Sequence, residues 1–155
     1  MPPNFKKRLA ETAVNETTTI EHRVESYYNK PTLLLAPLSG ENRPFLSHVL
    51  RREAKEADKA EKAGQPAALR TVEDAAADHQ EAAQVIARFS VRGWTGLYDD
   101  EDNEVTFSSE NALAFLAALA ETHPHEIMKM GGRARDLANY EKSPSMRPEA
   151  VAKNS

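Results

Sequence analysis

Hydrophobic spacing divides the chain into short stretches of β-type alternation and longer stretches of helical periodicity. Residues Thr17 to Val24, TTTIEHRV, are rich in β-formers and put Thr18, Ile20, His22 and Val24 on one side at period two, which predicts a strand. Beyond ESYYNKP, the apolar run Thr32 to Leu35 ends at Pro37 and Ser39-Gly40 and predicts a second strand. Such a hairpin is marginal alone and must lean on other elements.

Pro44 suits a first helical turn, and Gly64-Gln65-Pro66 is a stop, so a helix is expected between them. Its apolar positions Phe45, Leu46, Val49, Leu50, Ala54 and Ala57 keep helical spacing in the first half only. The second half, REAKEADKAEKA, interleaves Glu and Lys around Ala and reads as a solvated arm. Thr71 and Asp74 form a capping-box pair that opens a helix from Val72 to about Phe89, with Val72, Ala75, Ala76, Ala83, Ile86 and Phe89 as its buried side. The two helices then make an α-hairpin around the Gly-Pro turn.

Ser90 to Val105 sets Val91, Trp94, Leu97 and Val105 around Gly93, Gly96 and the acidic turn Asp99 to Asn103, a second short hairpin. Whether the two hairpins share a sheet is open at this level. Ser108 caps a helix from Ser109 to Ala120 that buries Ala112, Leu113, Phe115, Leu116 and Leu119, and Glu110 suits its positive end. A last helix starts near Pro124 and carries Ile127, Met128, Met130, Ala134, Leu137 and Tyr140. Gly131-Gly132 in its middle costs roughly 1 kcal/mol per Gly against Ala, so a kink is expected there. The expected fold is mainly α with small β-hairpins (α+β): about four helices in one domain over 13–142, a flexible tail over 1–12, and a disordered tail over 143–155 that holds two prolines and few apolar residues.

Composition narrows the functional classes. The chain has 155 residues, room for one ordinary domain, and aromatics make up only 6%, so the core must come mainly from Ala, Leu and Val. The formal net charge of -4 argues against a nucleic-acid or anionic-membrane partner bound through phosphate neutralisation. Without cysteine there are no disulfides, thiolate metal sites or Cys nucleophiles, and the expected setting is cytoplasmic. No apolar run approaches a membrane span or an export signal.

Candidate chemistry is sparse. His123 and His125 with Glu126 are the best metal-ligand group, but an i, i+2 pair on a helix does not share a face, and solvated polar residues at a helix start account for them as well. His48 and His79 stand alone on predicted helices. Gly93-Trp94-Thr95-Gly96 lacks the Lys-Ser/Thr of a phosphate loop, and no serine sits in a nucleophile elbow. Counting Asp99 as the first position of a calcium loop puts Glu104 where Gly is required, so the acidic cluster reads as a solvated turn. No catalytic residue, cofactor or metal is expected.

Charge placement says more. From Trp94 to Met128 the chain holds Asp99, Asp100, Glu101, Asp102, Glu104, Glu110, Glu121 and Glu126 and no Lys or Arg. Arg43 to Gly64 holds Arg43, Arg51, Arg52, Lys55, Lys59 and Lys62 against four acids. This asymmetry serves either internal complementarity and solubility or the docking of a basic partner or another copy of the chain. Trp94 is either a core anchor or an exposed hot spot. The candidate partner-binding residues are Trp94, Asp99, Asp100, Asp102, Arg51 and Arg52.

The string VRGWTGLYDDEDNEVTFSSENALAFLAAL resembles a pattern of small tailed-bacteriophage proteins encoded near the tail-tube and tape-measure genes, the tail assembly chaperones. The matching positions are Gly93, Trp94, Gly96, Phe107, Ser108, Glu110, Asn111, Leu113 and Leu116, with TTTIE at Thr17 to Glu21, a basic helix RPFLSHVLRR, and Asn139-Tyr140 towards the end. Asn103 departs where a turn Gly is expected, and Thr106 where Pro is common. The resemblance implies a non-enzymatic factor of the host cytoplasm that binds tape-measure and tail-tube proteins during assembly and is absent from the finished particle. The alternative is a structural virion component, a minor tail or head-tail completion protein. A homo-oligomer is a further expectation.

Overall fold

The sheet grows from the two alternating segments at the start of the chain. In a computed structural model that describes residues 2–63 and 71–141, Ile20–Arg23 (β1, after a short helix α1, Lys6–Glu11) pairs antiparallel with Thr32–Leu35 (β2). Ile20, His22 and Val24 face inward as the period-two pattern predicts. The loop between the strands turns through Asn29 and Lys30, both at positive φ, a region that Asn tolerates better than most residues.

The third strand settles how the two hairpins relate. Val91–Thr95 (β3) pairs antiparallel with β2 in the order β1-β2-β3, with Leu33 opposite Trp94 and Leu35 opposite Val91. Beyond it the acidic turn is closed as a short hairpin by the antiparallel bridge of Tyr98 with Glu104 and the backbone bonds from Asp99 N–H to the Asn103 carbonyl and from Val105 N–H to the Leu97 carbonyl, so both hairpins share β3's sheet. Arg92 is the extra residue where the register slips between Leu34 and Leu35. Such a bulge turns its side chain out of the ladder, and Arg92 Nε reaches the Glu16 carbonyl. Ser90 locks the entry to β3: its backbone carbonyl accepts from Ala36 N–H and its hydroxyl donates to the Ala36 carbonyl, both at 2.7 Å.

The expected helices form. Arg43–Ala63 (α2) starts beside Pro44; the Gly-Pro turn expected after it lies outside the described residues. Val72–Phe89 (α3) opens on the complete Thr71–Asp74 capping box, and Ser109–Thr122 (α4) on Ser108, whose hydroxyl accepts from Asn111 N–H. Pro124–Arg135 (α5) runs unbroken through Gly131 and Gly132, and the chain breaks instead at Asp136 before Leu137–Glu141 (α6). The helix continues because Gly131 is buried against Ile86 and Arg135 while its neighbours Ile127, Met130 and Ala134 pack in the core. Packing there outweighs the glycine's entropic cost.

The core lies between the inner face of the sheet and α3, α4 and α5, with Leu33, Leu35, Ile86, Leu116, Ile127 and Met130 fully enclosed. Two buried polar side chains tie its edges. Asn42 Nδ2 donates to the carbonyls of Pro37 and Phe89, and the Tyr140 hydroxyl donates to the Leu35 carbonyl. Burial holds the Tyr140 phenol far above its ordinary pKa, so it remains a donor. The expected buried side of α3 is corrected at Val72 and Ala76, which face solvent; of the apolar positions spaced along α2, Leu46, Leu50, Ala54 and Ala57 are exposed as well. Residues 1–12, expected as a tail, carry α1, which buries none of its residues; the tail expected over 143–155 lies outside the described residues.

Candidate interaction surfaces

Trp94 ends the sheet's inner face half-buried, in a cluster of rings. It stands edge-on to Phe107 at 4.9 Å, and Tyr27 stands edge-on to Phe115 at 5.0 Å. The indole N–H donates to the Val105 carbonyl at 2.8 Å, so its polar handle is used inside the molecule. Trp94 therefore braces the base of the acidic turn and stays half-buried there.

The acidic turn is built by its own first residue. Asp99 Oδ1 accepts from the backbone N–H groups of Glu101 and Asn103. The left-handed residue is Asp102, at φ 64, rather than Asn103, where the sequence departs from a turn Gly. Tyr27 donates to the Tyr98 carbonyl at 2.6 Å and Tyr28 to Asp102 Oδ1 at 3.0 Å, so the β1–β2 loop buttresses the turn. Burial, then Asp100 and Asp99, raise the Tyr27 pKa; the bond to Asp102 raises that of Tyr28. Asp100, Glu101, Asp102 and Glu104 remain exposed. This arrangement presents negative charge on a rigid support, with Asp99 spent on the support itself.

Among the α2 residues whose side chains are described, only Phe45, His48 and Val49 are even half-buried, and every side chain from Leu50 to Glu61 is exposed. His48 lies over Phe89 with ring centroids 5.0 Å apart, and Arg52 Nη1 bonds Glu81 at 2.8 Å. These contacts seat α2 on α3 along one line and leave a flank on each side. One flank gathers Arg51, Lys55 and Arg88 beside Phe89. The other is a groove of about 740 Å³ floored by Leu38, Phe45, Val49, Ala82, Val85 and Ile86, and rimmed by Glu53, Glu56, Asp78 and Glu81 against Arg52 and Arg135. Of the two arginines singled out from sequence, Arg51 is available at the surface and Arg52 is engaged with Glu81. Neither lies in an element that touches the acidic turn through any described bond.

The His123, His125 and Glu126 grouping is not assembled. The two imidazoles meet edge-on at the α4–α5 junction, but Glu126 turns into the core, 2% exposed, and reaches His22. His22 Nδ1 faces Arg133 Nη1 at 2.9 Å, and since guanidinium only donates, Nδ1 accepts and Nε2–H points to Glu126 Oε1. Burial chiefly, with Arg133 and Lys129, lowers the His22 pKa against the opposing pull of Glu126. These bonds pin β1 to α5. Sequence pattern put His22 on the inner face of β1 yet could not pair it with two residues of a distant helix. Among the described residues no cluster of His and acidic side chains has metal-binding geometry, and no helix is long and apolar enough to cross a membrane.

The family to which its sequence conforms makes this α-rich chain a phage-derived protein of the kind found in prophages. The chain belongs to the YdaY prophage protein family, whose model matches residues 42–144, from the start of α2 past α6. The β1–β2 hairpin lies ahead of the matched span. No curated protein and no solved structure matches the chain.

Proposed function

We propose that this phage-derived protein is a non-enzymatic tail assembly chaperone, acting in the host cytoplasm by reversible binding of tape-measure and tail-tube proteins, without cofactor, nucleic acid or membrane. The observation that carries the reading is α2, a long helix whose seat is confined to its first turns and whose exposed length alternates acid and base around alanine. A helix of this kind is suited to lie along another long helix, where i, i+4 charges set register and Leu46 and Leu50 supply the apolar contact. The family assignment and the resemblance around Trp94 supply the phage setting.

The test is co-purification of the full chain with tape-measure fragments and with tube protein, repeated with Arg51→Glu/Lys55→Glu, which alters exposed side chains only. Retention of the partner by the parent and loss by the variant supports the reading. Stoichiometric presence of the protein in washed mature virions overturns it in favour of a structural virion component.

A further inference from the structure

Phe5 and Leu9 lie one helical turn apart at the start of α1, 64% and 67% exposed, and Lys6, Lys7 and Arg8 stand between them. Large apolar side chains in so exposed a setting, ringed by cations, mark a contact that is not made within the chain. From Val14 onward the same chain is tied down. Val14 packs against the core, Asn15 and Thr18 close a turn, and the Glu16 carbonyl is held by Arg92. The segment ahead of Val14 therefore projects from a fixed root and buries nothing on its own body.

The groove between α2 and α3 has the opposite character. Its floor is aliphatic and aromatic, and its rim sets four carboxylates against two guanidiniums, one of which is already bonded to Glu81. At about 740 Å³ it is in the size range of sites that enclose several side chains.

We propose that this groove receives the N-terminal segment of a second copy of the chain, with Phe5 and Leu9 on the apolar floor and Lys6, Lys7 and Arg8 against the acidic rim. Three cations on the segment answer the net negative rim, and two apolar anchors answer the floor, so shape and charge select the same occupant. Reciprocal exchange puts one segment in each of two grooves and closes a two-fold dimer, with no contact left open for further growth. The inference is independent of the tail-assembly reading.

Sedimentation of the full chain over a range of concentrations tests it. The parent is expected to show a concentration-dependent monomer–dimer equilibrium that loosens with added salt. Phe5→Ser/Leu9→Ser is expected to weaken the dimer by about tenfold or more while leaving the melting curve unchanged at concentrations where the parent is monomeric, because neither residue supports the fold of the single chain. Glu53→Lys/Glu56→Lys weakens it as well, and adding Lys6→Glu/Lys7→Glu to that variant restores it. The cysteine-free chain also allows Leu9→Cys with Val85→Cys and a short thiol crosslinker. Crosslinked dimers support the exchange. A parent that stays monomeric throughout, a dimer indifferent to both charge and apolar variants, or a crosslink formed within single chains overturns it.

Discussion

His22 and Glu126 meet at 3.4 Å in the interior although 104 positions separate them in the chain, and Arg133 holds the other side of the imidazole. The three groups join the first strand to α5, and each uses a hydrogen-bonding capacity that its neighbour requires. Removing His22 leaves the buried Glu126 carboxylate without that partner, which is costlier than the bond is favourable, while half-buried Arg133 keeps the Glu21 carbonyl.

Stability is expected to depend on His22 at mildly acidic pH. Its native pKa lies below the ordinary value of 6.5, so the unfolded chain binds the proton more readily. The contribution is complete above about pH 6.5 and is lost as pH falls towards the lowered native value. Urea unfolding measured from pH 7.5 to 5 should show the parent weakening over that interval, whereas His22→Gln should be less stable at neutral pH and show a flatter profile. Parallel profiles for the two would refute the assignment.

Asn42 and Tyr140 should behave as edge fasteners of unequal strength. Tyr140→Phe leaves the Leu35 carbonyl without that donor and should cost about 1–2 kcal/mol, while Asn42→Ala deprives two carbonyls and should cost about 2–3 kcal/mol. Denaturant midpoints at constant m-value read both.

Gly132→Ala should stabilise the protein by about 1 kcal/mol, since a Cβ there meets nothing and α5 is continuous through the site. Gly131→Ala should gain at least as much, because its Cβ would meet Ile86 and Arg135 at an ordinary contact distance of 3.6 Å. A loss of stability in Gly132→Ala, read from thermal melts, would mean that the helix is not continuous there.

Phe107→Ala should open the ring cluster around the sole tryptophan. Trp94 then loses its edge-on neighbour at 4.9 Å, and its emission should shift to the red with a destabilisation of about 2 kcal/mol. Unshifted emission would show that Phe107 does not shield the indole.

In the acidic turn, Asp102→Gly relieves a left-handed backbone worth about 1 kcal/mol but gives up the bond from Tyr28. Tyr28→Phe gives up that bond alone and should lower the melting temperature slightly. Asp102→Gly in a Tyr28→Phe background should therefore be more stabilising than in the parent, a difference that a double-mutant cycle measures.

What was legible in the sequence is what depends on neighbours along the chain. The Thr71–Asp74 box and the Ser108 cap are set by side chains that bond a backbone group three residues on, and the alternation of Ile20, His22 and Val24 is a property of the strand itself. These are local interactions, so their signal lies within a few positions. The Gly-Gly pair predicts a kink that α5 does not have, because the helix is held by Ile127, Met130 and Ala134 in the core and not by propensity.

Tertiary structure alone decided the rest. Pairing of β3 with β2 spans two helices, and the turn of Glu126 away from His123 and His125 towards His22 depends on how α5 lies against β1. It also decided which residues of the apolar stripe on α2 are covered: the spacing named six, and the seat on α3 covers only Phe45 and Val49, each by half. Periodicity determines which residues share a face, but what that face meets is determined by the packing of elements distant in the chain, and in α2 much of the apolar face meets solvent.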